Sequence, residues 1–257
     1  MIYLEMRNFV LEHRAINNAY LDRFKSGDLT DEDLEEFATE FYNFARFFPR
    51  ILVSQLVNTQ DEKVADELTK VLYSELGDGR THLRHELLYR DFLRSIGIDV
   101  HRAMSRPMLP STWAYIEGME QLYSDGNHAK ALGASFGLEN MAITMWDHLI
   151  PGLMYLKAAR YPHMDITYFT FHRQLESTHE EAMAHAVAVA QGAGDAGMSD
   201  EQLAWKARAA LRAADWQAVR DAIDPMSALA RQEQFIRTCG TDEWADGTIA
   251  TRYGFLH

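Results

Sequence analysis

Cysteine is almost absent from this chain of 257 residues, which contains only Cys239. A single cysteine excludes a disulfide within the chain and a metal site built from several thiolates, and it fits the reducing cytoplasm. Long apolar runs are missing as well, because no run approaches the ~18 residues that a membrane-spanning helix needs. We therefore expect a cytoplasmic protein that does not enter a membrane.

Basic residues are in deficit, with 25 lysines and arginines against 38 aspartates and glutamates, so the formal net charge is -13. A negative surface repels phosphate backbones and anionic lipid, so nucleic acid and membranes are not expected partners. The remaining composition, 47% apolar and 25% charged, is that of an ordinary globular protein.

Alternating strand patterns are also missing, and helical periodicity dominates. It predicts one helix over residues 3–25 and a second that begins with a Thr30/Asp33 capping box and is kinked or broken at Pro49. Further helices are predicted over 61–96, 112–124, 128–160, 164–190 and 199–223 and after Pro225, with a loop over 101–111. We expect one all-α domain of seven to eight helices over residues 1–257. Its metal-binding core would lie at about 35–190, and residues 199–257 would form C-terminal helices and a tail.

The stretch YFTFHRQLESTHEEAMAH, residues 168–185, places His172, Glu176 and His179 on one helix face. Imidazole and carboxylate groups are ligands for iron, manganese or zinc, and burying them without a partner is costly. This column of three side chains is the first candidate metal site.

A second pair of candidate ligands lies in YSELGDGRTHLRHELL, where Glu75 and His82 are seven residues apart and share a face if the helix is continuous. Gly77 and Gly79 fall between them, and a glycine costs ~1 kcal/mol inside a helix. Close approach of a metal, an oxidant or another helix would explain the glycines. The alternative is a loop that separates two shorter helices.

Glu139 is the third element, because it shares a helix face with the apolar residues Phe136, Ala142, Ile143 and Trp146. A buried carboxylate should be metal-bound, paired or protonated. Ligands spread over seven residues, which rise ~10.5 Å, suit two metal ions better than one. The predicted metal ligands are Glu75, His82, Glu139, His172, Glu176 and His179, a nitrogen and oxygen set that favours iron or manganese.

Other interpretations compete with this one. A lone histidine on a helix is more often a surface or core residue than a ligand, and His85, His163 and His185 fit that description better than the chosen histidines. A ferritin-like bundle would need two Glu-x-x-His motifs, and only Glu176-x-x-His179 is present.

Together these residues resemble the heme-oxygenase-like di-iron oxidases. That family has Glu-x6-His on one helix, a lone Glu on another and His-x3-Asp/Glu-x2-His on a third. Glu75/His82, Glu139 and His172/Glu176/His179 match these motifs in the same order. The resemblance covers about residues 35–190. The middle carboxylate of the last motif is often Asp in the family, so Glu176 is a departure that could alter the geometry of the site.

The resemblance implies a heme-oxygenase-like helical bundle that holds two Fe(II) ions and uses O2 as co-substrate. The implied function is a non-heme di-iron oxidase. It would act on an unactivated C–H bond of a small carboxylate-bearing substrate, preferably an amino acid, in natural-product biosynthesis. Desaturation, cyclisation and C–C fragmentation are the expected outcomes. A fatty-acid oxidative decarboxylase and a non-catalytic helical metal-binding protein are the alternatives. We also expect a homodimer and an external electron donor, and we predict a substrate pocket walled by Ala142, Ile143, Trp146 and Tyr168.

Overall fold

The structure, a computed structural model, describes residues 2–176 and residue 179, with side chains from residue 7 onward except that of residue 129. Every regular element in this part is helical, which confirms the all-α class. In chain order the α-helices are α1 (Ile2–Leu11), α2 (Ala19–Lys25), α3 (Asp31–Ala45), α4 (Phe48–Asn58), α5 (Glu62–Glu75), α6 (His85–Ser95), α7 (Val100–Ser105), α8 (Pro110–Tyr123), α9 (His128–Ala159) and α10 (167–176, with residue 179 also helical). A short 3-10 helix, Thr81–Leu83, lies between α5 and α6.

The predicted first helix over 3–25 is wrong in its middle, because α1 and α2 are separate helices. Two asparagines cause the break. The Asn17 side chain donates to the carbonyls of Leu11 and His13, and Asn18 caps α2 by accepting from the Leu21 N–H at 3.0 Å. Such bonds between asparagine side chains and the backbone compete with helix continuation, so the chain turns before α2.

The start of α3 agrees with the prediction. Thr30 accepts from the Asp33 N–H, and the Asp33 carboxylate accepts from the Thr30 N–H, which completes the capping box. The break near Pro49 is also confirmed. The proline lies in the first turn of α4, where its missing N–H is not needed.

Later elements differ more. The helices predicted over 112–124 and 128–160 correspond to α8 and α9, but the predicted loop over 101–111 contains the short helix α7, which Asp99 caps. The short helices raise the total in the described residues above the predicted seven to eight. The elements predicted from 199 to the C-terminus, and Cys239 and His185, lie outside the described residues.

The core around the candidate site is aromatic. Phe41 of α3 stacks on Tyr89 of α6 with centroids 5.5 Å apart, and Phe169 of α10 meets Phe92 of α6 at 4.9 Å. Trp146 of α9 closes the group at 5.8 Å from Phe41. These rings are all buried, so four helices converge on one apolar centre that holds α10 in place.

The backbones of helices α2 and α9 approach each other closely where the two helices cross. A Cβ built on Gly152 of α9 would lie 1.9 Å from the carbonyl oxygen of Phe24 in α2. Only a residue without a side chain permits this contact, which holds α2 against α9, the helix that also carries Glu139. None of the helices in the described part combines the length and apolar character that crossing a membrane requires.

Candidate metal centre

The glycines of the Glu75 region form a loop and do not lie inside a helix. Helix α5 ends at Glu75, and Gly77, Asp78 and Gly79 all adopt left-handed φ values of 89°, 52° and 76°. A Cβ on Gly77 would lie 2.5 Å from the carbonyl oxygen of Arg80. The tight reversal therefore requires glycine there, and the alternative of a loop between two shorter helices is the one observed.

This loop changes the identity of one predicted ligand. His82 lies in the 3-10 helix and is exposed, because the helical register that would have placed it over Glu75 ends at Glu75. The loop instead returns His85, at the start of α6, to a buried position where its Nδ1 lies 2.8 Å from Glu75 Oε2. His85, expected from the spacing to be an ordinary surface or core residue, is the residue that contacts Glu75 in place of His82. The Gly-Asp-Gly stretch was the signal that could have indicated it.

Glu75, His85 and His172 form the first group of candidate ligands. Each offers one ligand atom, these atoms lie within 4.8 Å of one another, and all three residues are buried. The rings of His85 and His172 are 4.2 Å apart. His172 Nδ1 lies 2.8 Å from the carbonyl oxygen of Tyr168. Because a carbonyl only accepts, Nδ1 carries the proton, and Nε2 keeps its lone pair for a metal.

The protonation of this first group suits metal binding. Burial alone would raise the pKa of Glu75, but the charge and hydrogen bond of His85, with His172 and His179, lower it to about 2. Burial lowers the pKa of His172 to about 3, and the charge of His85 acts in the same direction. At neutral pH the group therefore contains an ionised carboxylate and a neutral imidazole at these two positions, which are the forms that bind metal.

Glu139 of α9 and Glu176 of α10 form the second group with His179. Their ligand atoms also lie within 4.8 Å of one another, and all three side chains are buried. His179 Nδ1 lies 3.4 Å from Glu139 Oε2. Five of the six residues predicted as ligands, Glu75, Glu139, His172, Glu176 and His179, are thus brought into two compact groups.

Trp146 holds one oxygen of the second group. Its indole N–H donates to Glu176 Oε1 at 2.8 Å, and both side chains are buried. The other oxygen, Glu176 Oε2, has no hydrogen-bond partner among the described residues. Burial and the charge of Glu139 raise the pKa of Glu176 well above its ordinary value, while His179 and the bond from Trp146 act in the opposite direction.

His179 is cationic at neutral pH in this arrangement. Burial would lower its pKa, but the hydrogen bond and charge of Glu139, followed by the charges of Glu176 and Glu75, raise it to about 9. A proton on His179 offsets the negative charge of the neighbouring Glu139. A divalent cation would replace that proton, so the protonation of the second group is also compatible with metal binding.

The two groups are neighbours. Ser74, the residue before Glu75, places its hydroxyl 3.2 Å from His179 Nε2. The charge of His179 lowers the pKa of Glu75, and the charge of Glu75 raises the pKa of Glu176. The last turn of α5 therefore contacts the second group and contributes a ligand to the first.

The predicted pocket residues divide into two kinds. Trp146 and Tyr168 contact the two groups of candidate ligands. The Trp146 indole donates a hydrogen bond to Glu176, and the Tyr168 ring lies 4.1 Å from the ring of His172. Ala142 is buried on the face of α9 that also carries Glu139, whereas Ile143 is only partly buried. Trp146 is therefore placed to orient the carboxylate of Glu176.

Each group also contains a buried side-chain atom whose hydrogen-bond partner, missing from the part of the chain that the structure describes, a metal ion would replace. Among the described residues, the buried atoms His85 Nε2 and Glu176 Oε2 have no hydrogen-bond partner, and unsatisfied buried polar atoms are costly. A set of imidazoles and carboxylates without thiolate suits iron or manganese.

A family model described as "Iron-containing redox enzyme" matches residues 35–215, which is most of the chain. The chain belongs to the iron-containing redox enzymes. The matched range includes all six residues of the two groups.

A curated relative of this iron-containing redox enzyme is 4-chloro-allylglycine synthase from Streptantibioticus cattleyicolor, with 29% identity over 144 residues. The aligned part covers 56% of this chain and 55% of the synthase. The chain thus spans about half the length of that relative.

Solved structures show the same fold at low identity. A TenA homolog from Pseudomonas syringae has a TM-score of 0.62 at 12% identity, with 99% of this chain and 89% of that one covered. A CADD-like protein of unknown function from Nostoc punctiforme gives 0.62 at 16% identity, covering 86% and 91%. A domain with a heme oxygenase-like fold from Shewanella denitrificans gives 0.55 at 17%, covering 93% of each chain. The predicted heme-oxygenase-like fold is confirmed.

Proposed function

We propose that this iron-containing redox enzyme is a non-heme di-iron oxidase that uses O2 to oxidise an unactivated C–H bond of a small amino acid. The observation that carries the proposal is the pair of buried, adjacent groups of imidazoles and carboxylates. One Fe(II) would be held by Glu75, His85 and His172. The other would be held by Glu139, Glu176 and His179.

The protein would supply the metal ligands, a site that excludes water and a charge balance that suits the substrate. When bound, the two irons supply the reduction of O2 and the oxidising power for the C–H bond. The aromatic core beside His172 excludes water, and Trp146 fixes one oxygen of Glu176. Two divalent ions would bring four positive charges against three carboxylates. The remaining positive charge would attract a substrate carboxylate.

The amino-acid substrate is supported by the curated relative, whose name specifies a chlorinated, unsaturated amino acid as its product. Desaturation, cyclisation and C–C fragmentation remain the proposed outcomes, within natural-product biosynthesis. Ala142, Ile143, Trp146 and Tyr168 are the proposed pocket wall. The external electron donor, the homodimer and the cytoplasmic location stay predictions from the sequence.

The test is anaerobic loading with Fe(II), followed by exposure to O2 with a panel of amino acids and fatty acids. Oxygen uptake and a transient visible absorption band are recorded together. We expect one or more amino acids to accelerate oxygen uptake and to trigger the band. Replacing His172 by alanine should abolish both signals, whereas the matched change at the exposed His101 of α7 should leave them intact.

Three other results would change the assignment. Acceleration by fatty acids alone would favour the oxidative decarboxylase. Iron binding without oxygen uptake, whatever compound is added, would favour a non-catalytic metal-binding protein. Full oxygen uptake by the His172→Ala variant would remove the first group from the active site.

A further inference from the structure

Three buried tyrosines form a continuous series of ring contacts that leads away from the candidate metal centre. The Tyr168 ring lies 4.1 Å from that of the candidate ligand His172, and 4.7 Å from that of Tyr89 in α6. Tyr89 in turn stacks on Tyr42 of α3 at 5.7 Å. The series therefore joins α10, α6 and α3 without an intervening gap.

The outer end of the series reaches groups that are in contact with solvent. The Tyr42 hydroxyl donates to Glu86 Oε1 at 2.7 Å, and Arg90 Nε donates to the Tyr42 oxygen at 3.0 Å. The Glu86 and Arg90 side chains are 21% and 30% exposed. Tyr42 itself is fully buried, and its hydroxyl is linked to solvent through this ion pair.

The hydroxyl groups of these tyrosines are not needed to pack the core. Phenylalanine rings fill the neighbouring positions Phe41, Phe92 and Phe169, and phenylalanine would fill the tyrosine positions without burying a polar group. The Tyr89 hydroxyl donates to the Ala38 carbonyl at 3.1 Å, and a carbonyl cannot take its proton. The Tyr42 hydroxyl donates to a carboxylate, which can.

The buried phenols are neutral before any reaction. Burial, together with the hydrogen bond to Glu86, raises the pKa of Tyr42 to about 12, and burial raises the pKa values of Tyr89 and Tyr168 well above the ordinary value. A neutral phenol loses an electron most easily when its proton can move at the same time. Of Tyr89 and Tyr42, only Tyr42 donates its hydroxyl to a carboxylate in the described structure.

We propose that Tyr168, Tyr89 and Tyr42 form an electron-transfer relay that carries electrons from the surface to the metal centre when an oxidising equivalent there is not consumed by substrate. The relay rests on the proposed function as the source of that oxidant.

Electrons and protons balance over one cycle of the relay. Tyr168 would give one electron to the oxidised centre and regain one from Tyr89, which would regain one from Tyr42, and Tyr168 and Tyr89 would keep their protons throughout. The Tyr42 proton moves along its hydrogen bond to Glu86, so the oxidised residue is a neutral phenoxyl radical at Tyr42. A soluble one-electron donor of the ascorbate class then returns an electron at the Glu86–Arg90 surface, and the proton returns from Glu86. The centre is reduced by one electron, the donor is oxidised by one, and the tyrosines are restored.

The experiment exposes the Fe(II)-loaded full chain to O2 without substrate and freezes samples at successive times for electron paramagnetic resonance. Tyrosine deuterated on the ring identifies a tyrosyl radical through its altered hyperfine splitting. We expect this radical in the wild type and its rapid loss on adding ascorbate. Tyr42→Phe and Tyr89→Phe should lose most of the signal while retaining the ring contacts. Tyr115→Phe, a matched change at a partly buried tyrosine of α8 outside the series, should retain it.

Iron content and oxygen uptake are measured on the same samples, so the two proposals can fail separately. Oxygen uptake without a tyrosyl radical, or an equally strong radical in Tyr42→Phe, would overturn the relay and leave the oxidase standing. Equal loss of the signal in Tyr115→Phe would also overturn it. No oxygen uptake by the wild type without substrate would overturn the relay. The proposed function would fall as well only if the amino acids of the panel also fail to start oxygen uptake.

Discussion

Replacing Trp146 by phenylalanine should weaken one metal site and spare the other. The change removes the indole N–H that donates to Glu176 Oε1 at 2.8 Å, while an aromatic ring remains to pack against Phe41 and Tyr168. Glu176 then has a second buried oxygen without a partner, and its pKa rises further, because the bond from Trp146 is one of the influences that lower it.

The magnitude follows from the strength of such a bond. A hydrogen bond to a charged group contributes about 1.5–3 kcal/mol. Loss of a group that orients a metal ligand typically costs about 10–100-fold in metal affinity, or ~1.4–2.7 kcal/mol. The two ranges agree. We therefore expect the ion held by Glu139, Glu176 and His179 to bind about 10–100-fold more weakly.

Anaerobic calorimetric titration with Fe(II), repeated with the redox-inert Zn(II), measures this directly. The variant should show one binding event at wild-type affinity and one weakened event. Trp113→Phe is the matched control, because Trp113 lies on α8 and is 49% exposed; it should bind as the wild type does. Two events at wild-type affinity in Trp146→Phe would refute the role of the indole. Weakening of both events by the same factor would show that the change disturbs the whole site.

Two further predictions concern packing and protons. Gly152→Ala should lower the thermal unfolding midpoint, because its Cβ would meet the Phe24 carbonyl at 1.9 Å. The matched change Gly118→Ala should raise the midpoint. Its Cβ would meet no described atom within 4 Å, and alanine is favoured over glycine in a helix by up to about 1 kcal/mol. Equal effects of the two changes on the midpoint would count against the close contact between α2 and α9. Metal uptake at the second group should release a proton at pH 7, because the pKa of His179 is raised to about 9, so this residue holds a proton that a metal displaces. The metal affinity of the second group should rise with pH up to about 9. Calorimetric titration in buffers of different ionisation enthalpy measures how many protons are released per metal bound. A count of zero protons at pH 7 would contradict the prediction.

Local signals in the sequence predicted much of the fold. The Thr30/Asp33 capping box and the proline at position 49 act over three or four residues, so they could be read without knowing the tertiary structure. The break between α1 and α2 depends on side-chain bonds of Asn17 and Asn18 to the backbone. Periodicity does not register such bonds, because it records only which face is apolar.

The ligands divide in the same way. His172, Glu176 and His179 lie on one helical segment, so their spacing predicted their common face. His85 could not be found by spacing, because it faces Glu75 through a loop whose left-handed residues reverse the chain. The assumption of a continuous helix therefore selected His82, three residues away on the exposed side. The bond from Trp146 to Glu176 joins two helices distant in the chain, and no sequence pattern indicates such a contact.

Anaerobic Fe(II) titration of two alanine variants tests the central claim most directly. The wild type should bind one Fe(II) at each of the two groups of ligands. His82→Ala should keep both, because His82 is exposed. His85→Ala should lose the ion that Glu75 and His172 share with it, while circular dichroism shows unchanged helix content. Full binding by folded His85→Ala together with loss of an ion in His82→Ala would contradict this assignment.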